Sequence, residues 1–391
     1  MYSSNTRYAL IIGLGLNGLG IVRALAEHDV PMIKVDSNAR RPGMLSRYGQ
    51  SHLVESLKNI SLIDELQDLL KQLAIPPVLF VTEEAPLKLI SENRDRLLPL
   101  CEILLPQHEV LEQLMSKEGI DTISARCGFA KPKTVHLQTL ADTDTLDDLR
   151  FPCILKPGRK SHEYGLRFKK GYKVASLEEV KPLVNEIIPV LPDLVMQEWI
   201  EGQDTDIYFT IVFIGKNNEL VSSFTGRKLR SWPIPVGGTA SCAPADDYHE
   251  HLVKLTCDFF KAAEFKGLGG VEFKRDPRDG EFYLIEPTVS RTDFQHEITV
   301  INGINMPYVI YKYHTNDEII SQKRTHQHFA WFEPVTERWA REATGIPDKL
   351  LYQGTKKINA LFRWQDPEPW LFAIKHRMLA KLRVITQKVS G

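Results

Sequence analysis

Residues 9–25, ALIIGLGLNGLGIVRAL, constrain the fold of this chain more than any other stretch. A short apolar run leads into Gly13, Gly15 and Gly18, spaced as G-x-G-x-x-G, and apolar residues then recur at helical intervals. Gly13 permits a tight turn from strand to helix, Gly15 lets the backbone approach a phosphate, and Gly18 lets the helix pack closely. The N-terminus of the helix then faces an anion. Asp36 closes a second apolar run, MIKVD, about where a ribose-binding acid would sit. These residues predict the opening of a doubly wound domain. They leave open whether it binds a dinucleotide.

Three short apolar strands, YALIIG, PMIKVD and PVLFVT, alternate with helical patterns over Leu19–His28, Leu62–Leu73 and Pro86–Leu98. Short strands separated by helices of this length predict a parallel sheet. Near Lys117 the pattern changes. From FPCILKP onward come longer strands, hairpins and loops, with helices expected at Leu177–Ile188 and His249–Ala263. The fold class is therefore α/β followed by α+β, in a chain of 391 residues that is too long for one ordinary core.

Apolar residues make up 43% and charged residues 25%, the composition of a soluble globular protein. A net charge of -1 argues against bulk attraction to nucleic acid. Cys101, Cys127, Cys153, Cys242 and Cys257 are widely spaced and lack a CxxC pair, so no disulfide framework or cysteine zinc site is indicated and a cytoplasmic location is expected. No HExxH and no GxxxxGK[ST] occurs.

The most informative stretch is GLGGVEFKRDPRDGEFYLIEPTVSRTDF. Asp276-Pro277-Arg278-Asp279-Gly280 carries turn chemistry between two apolar strands, which predicts a hairpin. Glu272 and Glu286 lie equally far from Asp279 and become neighbours across it, while Phe273 and Ile285 are expected to face a core. Two like charges across a hairpin destabilise it by about 0.2–1 kcal/mol. A divalent cation between them would reverse the sign, and oxygen-only ligands favour magnesium shared with phosphates. Two solvated glutamates are the plain alternative. In FPCILKPG, Lys156 ends an apolar strand and needs an anionic partner, either a phosphate or a carboxylate. In LVMQEWIEGQDTD, a strand runs into a turn with Asp204 just beyond it, an arrangement able to meet an adenine edge and a ribose.

Taken in order, Lys117, Lys156, Gln197-Glu198-Trp199-Ile200, Asp204, Glu272 and Glu286 resemble the ATP-grasp superfamily. The likeness covers about residues 8–315 and is strongest to the branch of carboxylate–amine ligases that includes D-aspartate ligase, through SRYG, RKLRSWPIPVGGTAS and EPTVSRTDFQHE. The resemblance implies a Rossmann-like pre-ATP-grasp domain at 1–115 and a two-lobed ATP-grasp domain at 116–315, with lobes at about 116–195 and 196–315. A helical extension follows at 316–391. It implies ATP and Mg2+ as cofactors, and a carboxylic acid and an amine as substrates. Lys117 and Lys156 would contact phosphates, Gln197, Glu198 and Ile200 would line the adenine, Asp204 would hold ribose, and Glu272 and Glu286 would ligate the metal. Thr288 stands where the family has a metal-binding asparagine, and the family's arginine has no match at Ser290, with Arg291 one residue on. Arg230 and Arg291 are the candidates for holding the carboxylate or acylphosphate. On this reading the opening glycines build a turn of the substrate-side domain rather than an NAD site. A nucleotide-binding protein without turnover and an NAD-dependent oxidoreductase stay open as alternatives.

Residues 370–391 contain no acid and five cations: Lys375, Arg377, Lys381, Arg383 and Lys388. Leu371, Ile374, Met378, Leu382, Ile385 and Val389 recur at helical spacing. Such a helix suits an anionic membrane surface, although packing back onto the protein body is the favoured expectation.

Overall fold

The computed structural model describes residues 6–130, 132–158, 162–169, 171–234, 237–319 and 322–376. They form two compact units. The larger comprises the chain up to Cys127, Ile207–Glu272 and the chain from Glu286 onward; the smaller comprises Gly128–Asp206 and Phe273–Ile285.

In the larger unit, β1 (Ala9–Ile12), β2 (Met32–Asp36), β3 (Gln50–Leu53) and β4 (Val78–Val81) form a sheet in the order β3-β2-β1-β4. All its pairings are parallel, as the strand–helix alternation predicts. β1, β2 and β4 are buried throughout, which is why they read as unbroken apolar runs. The edge strand β3, with sequence QSHL, is mostly exposed and carries no such signal, so the sequence reading missed it.

The turn after β1 shows what the glycines do. Gly13 adopts φ +88°, and a Cβ there would lie 2.5 Å from Thr82 Oγ1. A Cβ on Gly18 would lie 2.1 Å from the carbonyl oxygen of Gly13. Gly15 precedes α1 (Leu16–Ala26), and no atom lies within 4 Å of where its Cβ would be. Asp36 is fully buried, and its two carboxylate oxygens accept the backbone N–H of Leu14 (2.7 Å) and Asn38 (2.9 Å). That carboxylate holds its own turn together.

A second sheet runs β13-β12-β9-β10-β11-β14-β15. Its strands are β9 (Ile207–Ile214), β10 (Leu220–Trp232), β11 (Gly238–Pro244), β12 (Gly267–Arg275), β13 (Phe282–Val289), β14 (His328–Phe332) and β15 (Thr355–Asn359). The pairings β9–β10, β10–β11 and β11–β14 are antiparallel, and β14–β15 is parallel. In the smaller unit, β5 (Thr134–Leu137), β6 (Cys153–Pro157), β7 (Tyr172–Val174) and β8 (Leu194–Glu198) pair antiparallel in the order β5-β8-β6-β7. Helix Leu177–Ile187 buries Val180, Val184 and Ile187 in the core of this unit.

The expected boundaries at 115/116, 195/196 and 315/316 do not coincide with these units. The smaller one starts after Cys127 and runs through Asp206, and the opening domain is part of the larger unit. The reason lies in α1, which is buried from Asn17 to Leu25. Asn17 donates to the carbonyls of Thr82 (3.1 Å) and Thr292 (2.6 Å). Arg23 donates to Asp366 (3.0 Å) and to the carbonyls of Ala360 (2.9 Å) and Leu361 (2.8 Å). Nor are residues 316–391 a purely helical extension, since β14 and β15 continue the large sheet. Residues 368–376 are helical, and the rest of the basic stretch, from Arg377 to Gly391, lies outside the described residues.

The glycine geometry predicts a contrast. Gly18→Ala drives a methyl into backbone and should cost about 1–3 kcal/mol or more. Gly15→Ala meets open space and should cost less than about 1 kcal/mol, mostly as a poorer helix cap. Urea unfolding of the two variants measures the difference, and equal losses would show that Gly15 is under a steric constraint.

Candidate functional site

The hairpin of β12 and β13 forms as predicted. The N–H of Asp276 donates to the carbonyl of Glu281 (2.9 Å), that of Gly280 to the carbonyl of Asp276 (2.7 Å), and Gly280 has φ +79°. These bonds pair Asp276 with Glu281, a slip of one residue from an arrangement centred on Asp279. Phe273 is buried as expected, but Ile285 is 42% exposed, and Glu286 beside it is exposed too. Strict alternation fails there because two consecutive residues face outward. The expectation that Ile285 enters a core is corrected accordingly.

Glu272 and Glu286 nevertheless remain electrostatic neighbours. Burial pushes the Glu272 pKa up to about 7, against the pull of Lys228 and with a further push from Glu286 and Asp293. Lys228, itself buried on β10, reaches Glu272 with its Nζ 2.8 Å from Oε2 and 2.9 Å from Oε1. The sequence reading included Lys228 in RKLRSW and gave it no role. Its signal was a cation inside an apolar strand, the same signal that singled out Lys156. Among the described residues no three His, Cys, Asp or Glu side chains gather as a metal-holding group. A cation held here would have to draw on the oxygens expected from the sequence, those of Glu272, Glu286 and Thr288. With Asp293 nearby, carboxylates outnumber the lysine facing them, so the set suits a hard divalent cation whose remaining ligands come from elsewhere.

Past Thr288 the backbone turns sharply. Ser290 adopts φ +52°, a left-handed conformation uncommon outside glycine, and its buried hydroxyl has no hydrogen-bond partner. Arg291 follows and is half-buried. Among the described residues no ion pair holds its guanidinium.

Arg230 is a correction. It is 1% exposed, and Nη1 donates to Glu337 (2.6 Å) and Asp348 (3.1 Å) while Nη2 donates to the carbonyl of Ile346 (2.5 Å). The Tyr352 ring lies 5.8 Å from its guanidinium carbon. These donors are spent within the protein and are not free for a substrate carboxylate. The strand explains the difference from Lys228. The β10–β11 register shifts between Lys228 and Arg230, so cations two residues apart serve different partners.

In the smaller unit, Lys156 at the end of β6 donates to Gln197 Oε1 (2.7 Å), and Gln197 Nε2 donates to Thr134 Oγ1 (2.9 Å). Glu198 accepts the N–H of Arg150 (2.8 Å), and Ile200 is buried. Asp204 opens the short turn Asp204–Asp206. Lys173 and Lys274 both lie against the Trp199 ring, at 5.0 and 5.2 Å from its centre. Lys274 also donates to the carbonyl of Gly202 (3.1 Å). Burial lowers the Lys274 pKa, opposed by the charges of Asp204, Asp206 and Glu201. Neither lysine was given a role of its own from the sequence. Lys117 begins helix Lys117–Cys127 of the larger unit and is exposed.

A parallel sheet opened by a glycine turn is thus followed by a mainly antiparallel sheet and a four-stranded antiparallel sheet, and solved structures share this arrangement. The fold matches phosphoribosylglycinamide synthetase from Anaerococcus prevotii, with a TM-score of 0.62 and 15% identity over 83% of this chain and 80% of that one. It matches N5-carboxyaminoimidazole synthase from Aspergillus clavatus, in complex with ADP and a ribonucleotide, with a TM-score of 0.61 and 16% identity over 84% and 82%. Biotin carboxylase from Campylobacter jejuni gives a TM-score of 0.62 and 16% identity over 84% and 75%. At these identities the likeness is one of fold.

In sequence the chain resembles ATP-grasp carboxylate–amine ligases. It is 23% identical over 230 residues to D-aspartate ligase of Enterococcus faecium (strain Aus0004), covering 56% of this chain and 54% of that enzyme. It is 29% identical over 196 residues to D-alanine–D-alanine ligase of Psychrobacter sp. (strain PRwf-1), covering 44% and 53%. The chain spans about half the length of the curated relatives it matches. No family model matches it.

The network around Arg230 predicts a stability effect. Arg230→Met leaves the buried Glu337 with only the Tyr352 hydroxyl (2.8 Å) and Lys357 (3.6 Å), and should cost about 1–3 kcal/mol in urea unfolding. A stable variant that had lost only substrate affinity would return Arg230 to the substrate.

Proposed function

We propose that the chain is an ATP-dependent ligase that joins a carboxylic acid to an amine. The observation that carries this reading is the half-buried Glu272, crowded by Glu286 and Asp293 and partly neutralised by Lys228, on a fold shared with ATP-grasp ligases. Glu272 and Glu286, with the Thr288 hydroxyl, would hold Mg2+. When bound there, Mg2+ would screen the phosphate charge. Lys156 and Lys117 would bind phosphate oxygens, the Gln197–Ile200 strand end would meet the adenine edge, and Asp204 would accept from ribose hydroxyls.

The reaction proceeds in two balanced steps. A substrate carboxylate oxygen attacks the γ-phosphorus of ATP, breaking its bond to the β–γ bridging oxygen, and gives an acylphosphate and ADP. The amine then attacks the acyl carbon, phosphate leaves with the C–O bonding pair, and the amine loses a proton to give the amide. The chemistry asks for position and electrostatic stabilisation rather than for a nucleophilic side chain. Arg291, whose guanidinium no ion pair claims among the described residues, would orient the carboxylate and then the acylphosphate. The D-aspartate and D-alanine ligases it resembles support an amino acid as one of the two substrates.

Pairs of acids and amines, screened for Mg2+-dependent ADP release from ATP, test the proposal. Pair-dependent ADP release is expected, and its absence across amino-acid pairs would favour a nucleotide-binding protein without turnover. Glu286→Ala, at an exposed position, should melt like the wild type and lose at least about a hundredfold in turnover. Full activity in that variant would remove the metal assignment. Lys156→Ala should weaken ATP binding in calorimetry, and Lys156→Arg should restore it only in part, because a planar fork does not replace a point charge.

A further inference from the structure

Within the smaller unit, the turn that carries Asp204 is fastened by a lysine from the hairpin. Lys274 lies near the end of β12 and is 9% exposed. Its Nζ donates to the carbonyl of Gly202 (3.1 Å) and sits 5.2 Å from the centre of the Trp199 ring. Burial works against the ammonium charge, while Asp204, Asp206 and Glu201 work for it, in that order. Two of these acids are engaged in shaping the turn. Asp206 accepts the N–H of Gln203 (2.7 Å), and a Cβ on Gly202, at φ +106°, would lie 2.5 Å from the Asp206 Oδ2. Glu201 pairs with Lys173, Oε1 to Nζ 3.7 Å, and Lys173 lies on the Trp199 ring as well.

We propose that Lys274 is a positioning residue for nucleotide recognition: it holds the turn at Gly202 and, through its charge, sets the Asp204 carboxylate toward the ribose hydroxyls. This inference rests on the ribose role proposed above for Asp204. An ammonium is costly to take out of water, and a methionine would cover Trp199 and fill the same space without that cost. The charge therefore serves what an apolar side chain cannot reach, the carbonyl of Gly202 and the acids of the turn. Glu201, Asp204 and Asp206 fall within six residues of one another and repel. Without a cation among them the turn relaxes by swinging its carboxylates apart. Lys274 offsets that repulsion from the protein side. An ionised carboxylate offers about four acceptor sites, so attraction to Lys274 leaves room for the donors of both ribose hydroxyls. A carboxylate already held in place needs no ordering when the ribose arrives, which favours binding.

Calorimetric titration of the full chain with ATP and with 2′,3′-dideoxy-ATP, both in Mg2+, tests this. The wild type should bind ATP about tenfold or more tighter, because the analogue lacks the hydroxyls that donate to a carboxylate. Asp204→Ala should abolish that preference. Lys274→Met, which keeps the packing on Trp199, should weaken ATP, leave the dideoxy analogue unchanged and so bring the two affinities together. Both ligands meet the same protein, so this ratio is insensitive to a partial loss of fold, which thermal melting would report separately. In the Asp204→Ala background, Lys274→Met should leave the ratio where it is, since it acts through a carboxylate already removed. A preference kept in full by Lys274→Met, or equal weakening of both nucleotides, would overturn the positioning role while Asp204 kept its ribose. A wild type without preference, or a preference that survives Asp204→Ala, would remove the ribose assignment and the positioning role with it. A wild type that binds neither nucleotide would overturn the nucleotide reading itself.

Discussion

The larger unit depends on one buried guanidinium. Helix α1 is enclosed almost along its whole length, and Arg23 lies within it at a position where water cannot solvate the charge. An ion taken out of water without partners costs several kcal/mol, so the helix can be buried only if the donors of Arg23 are met. They are met by Asp366 and by the carbonyls of Ala360 and Leu361, more than three hundred residues away. The second carboxylate oxygen of Asp366 accepts the N–H of Arg47, which extends the tie to the SRYG turn. Opening domain and closing strands thereby become one body.

The same device recurs where the chain leaves β13. Glu297 accepts from Arg363 (2.6 Å) and from Trp331 Nε1 (3.0 Å), and Asn17 of α1 donates to the carbonyl of Thr292. The segment carrying Arg291 and Asp293 is thus fastened on one side to the opening helix and on the other to β14 and the residues after β15. Its left-handed Ser290 persists because the surroundings hold the backbone on both sides. A candidate anion-binding residue displaced by one position in sequence is presented from a rigid turn.

Lys228 and Arg230 show how one strand divides its labour. Both are buried cations on β10, and in an unbroken strand they would face the same side. The register shift between them assigns Lys228 to Glu272 and Arg230 to Glu337 and Asp348. One lysine tempers the charge of the carboxylate cluster, and one arginine joins helix Pro334–Thr344 to the sheet. Removing either partner of such a pair is costly because the other stays buried.

Local features were legible in the sequence wherever the physics is local. Unbroken apolar runs gave β1, β2 and β4, helical spacing gave α1 and Leu177–Ile187, and Asp-Pro-Arg-Asp-Gly gave the hairpin with a glycine at positive φ. The order of lysines, acids and paired glutamates gave the likeness to ATP-grasp ligases. Edge strand β3 stayed hidden because an exposed edge needs no apolar pattern, and β14 because its partner β11 is distant in sequence, with β15 pairing in turn on β14. Which buried charge meets which was beyond the sequence for the same reason. A buried ion's partner is fixed by desolvation and three-dimensional register, not by spacing along the chain. The sequence by itself determined the buried strands β1, β2 and β4, the hairpin turn and the inventory of charged groups. Only the tertiary structure decided that Lys228 faces Glu272, that Arg230 is spent on Glu337, and that the opening and closing segments share one core.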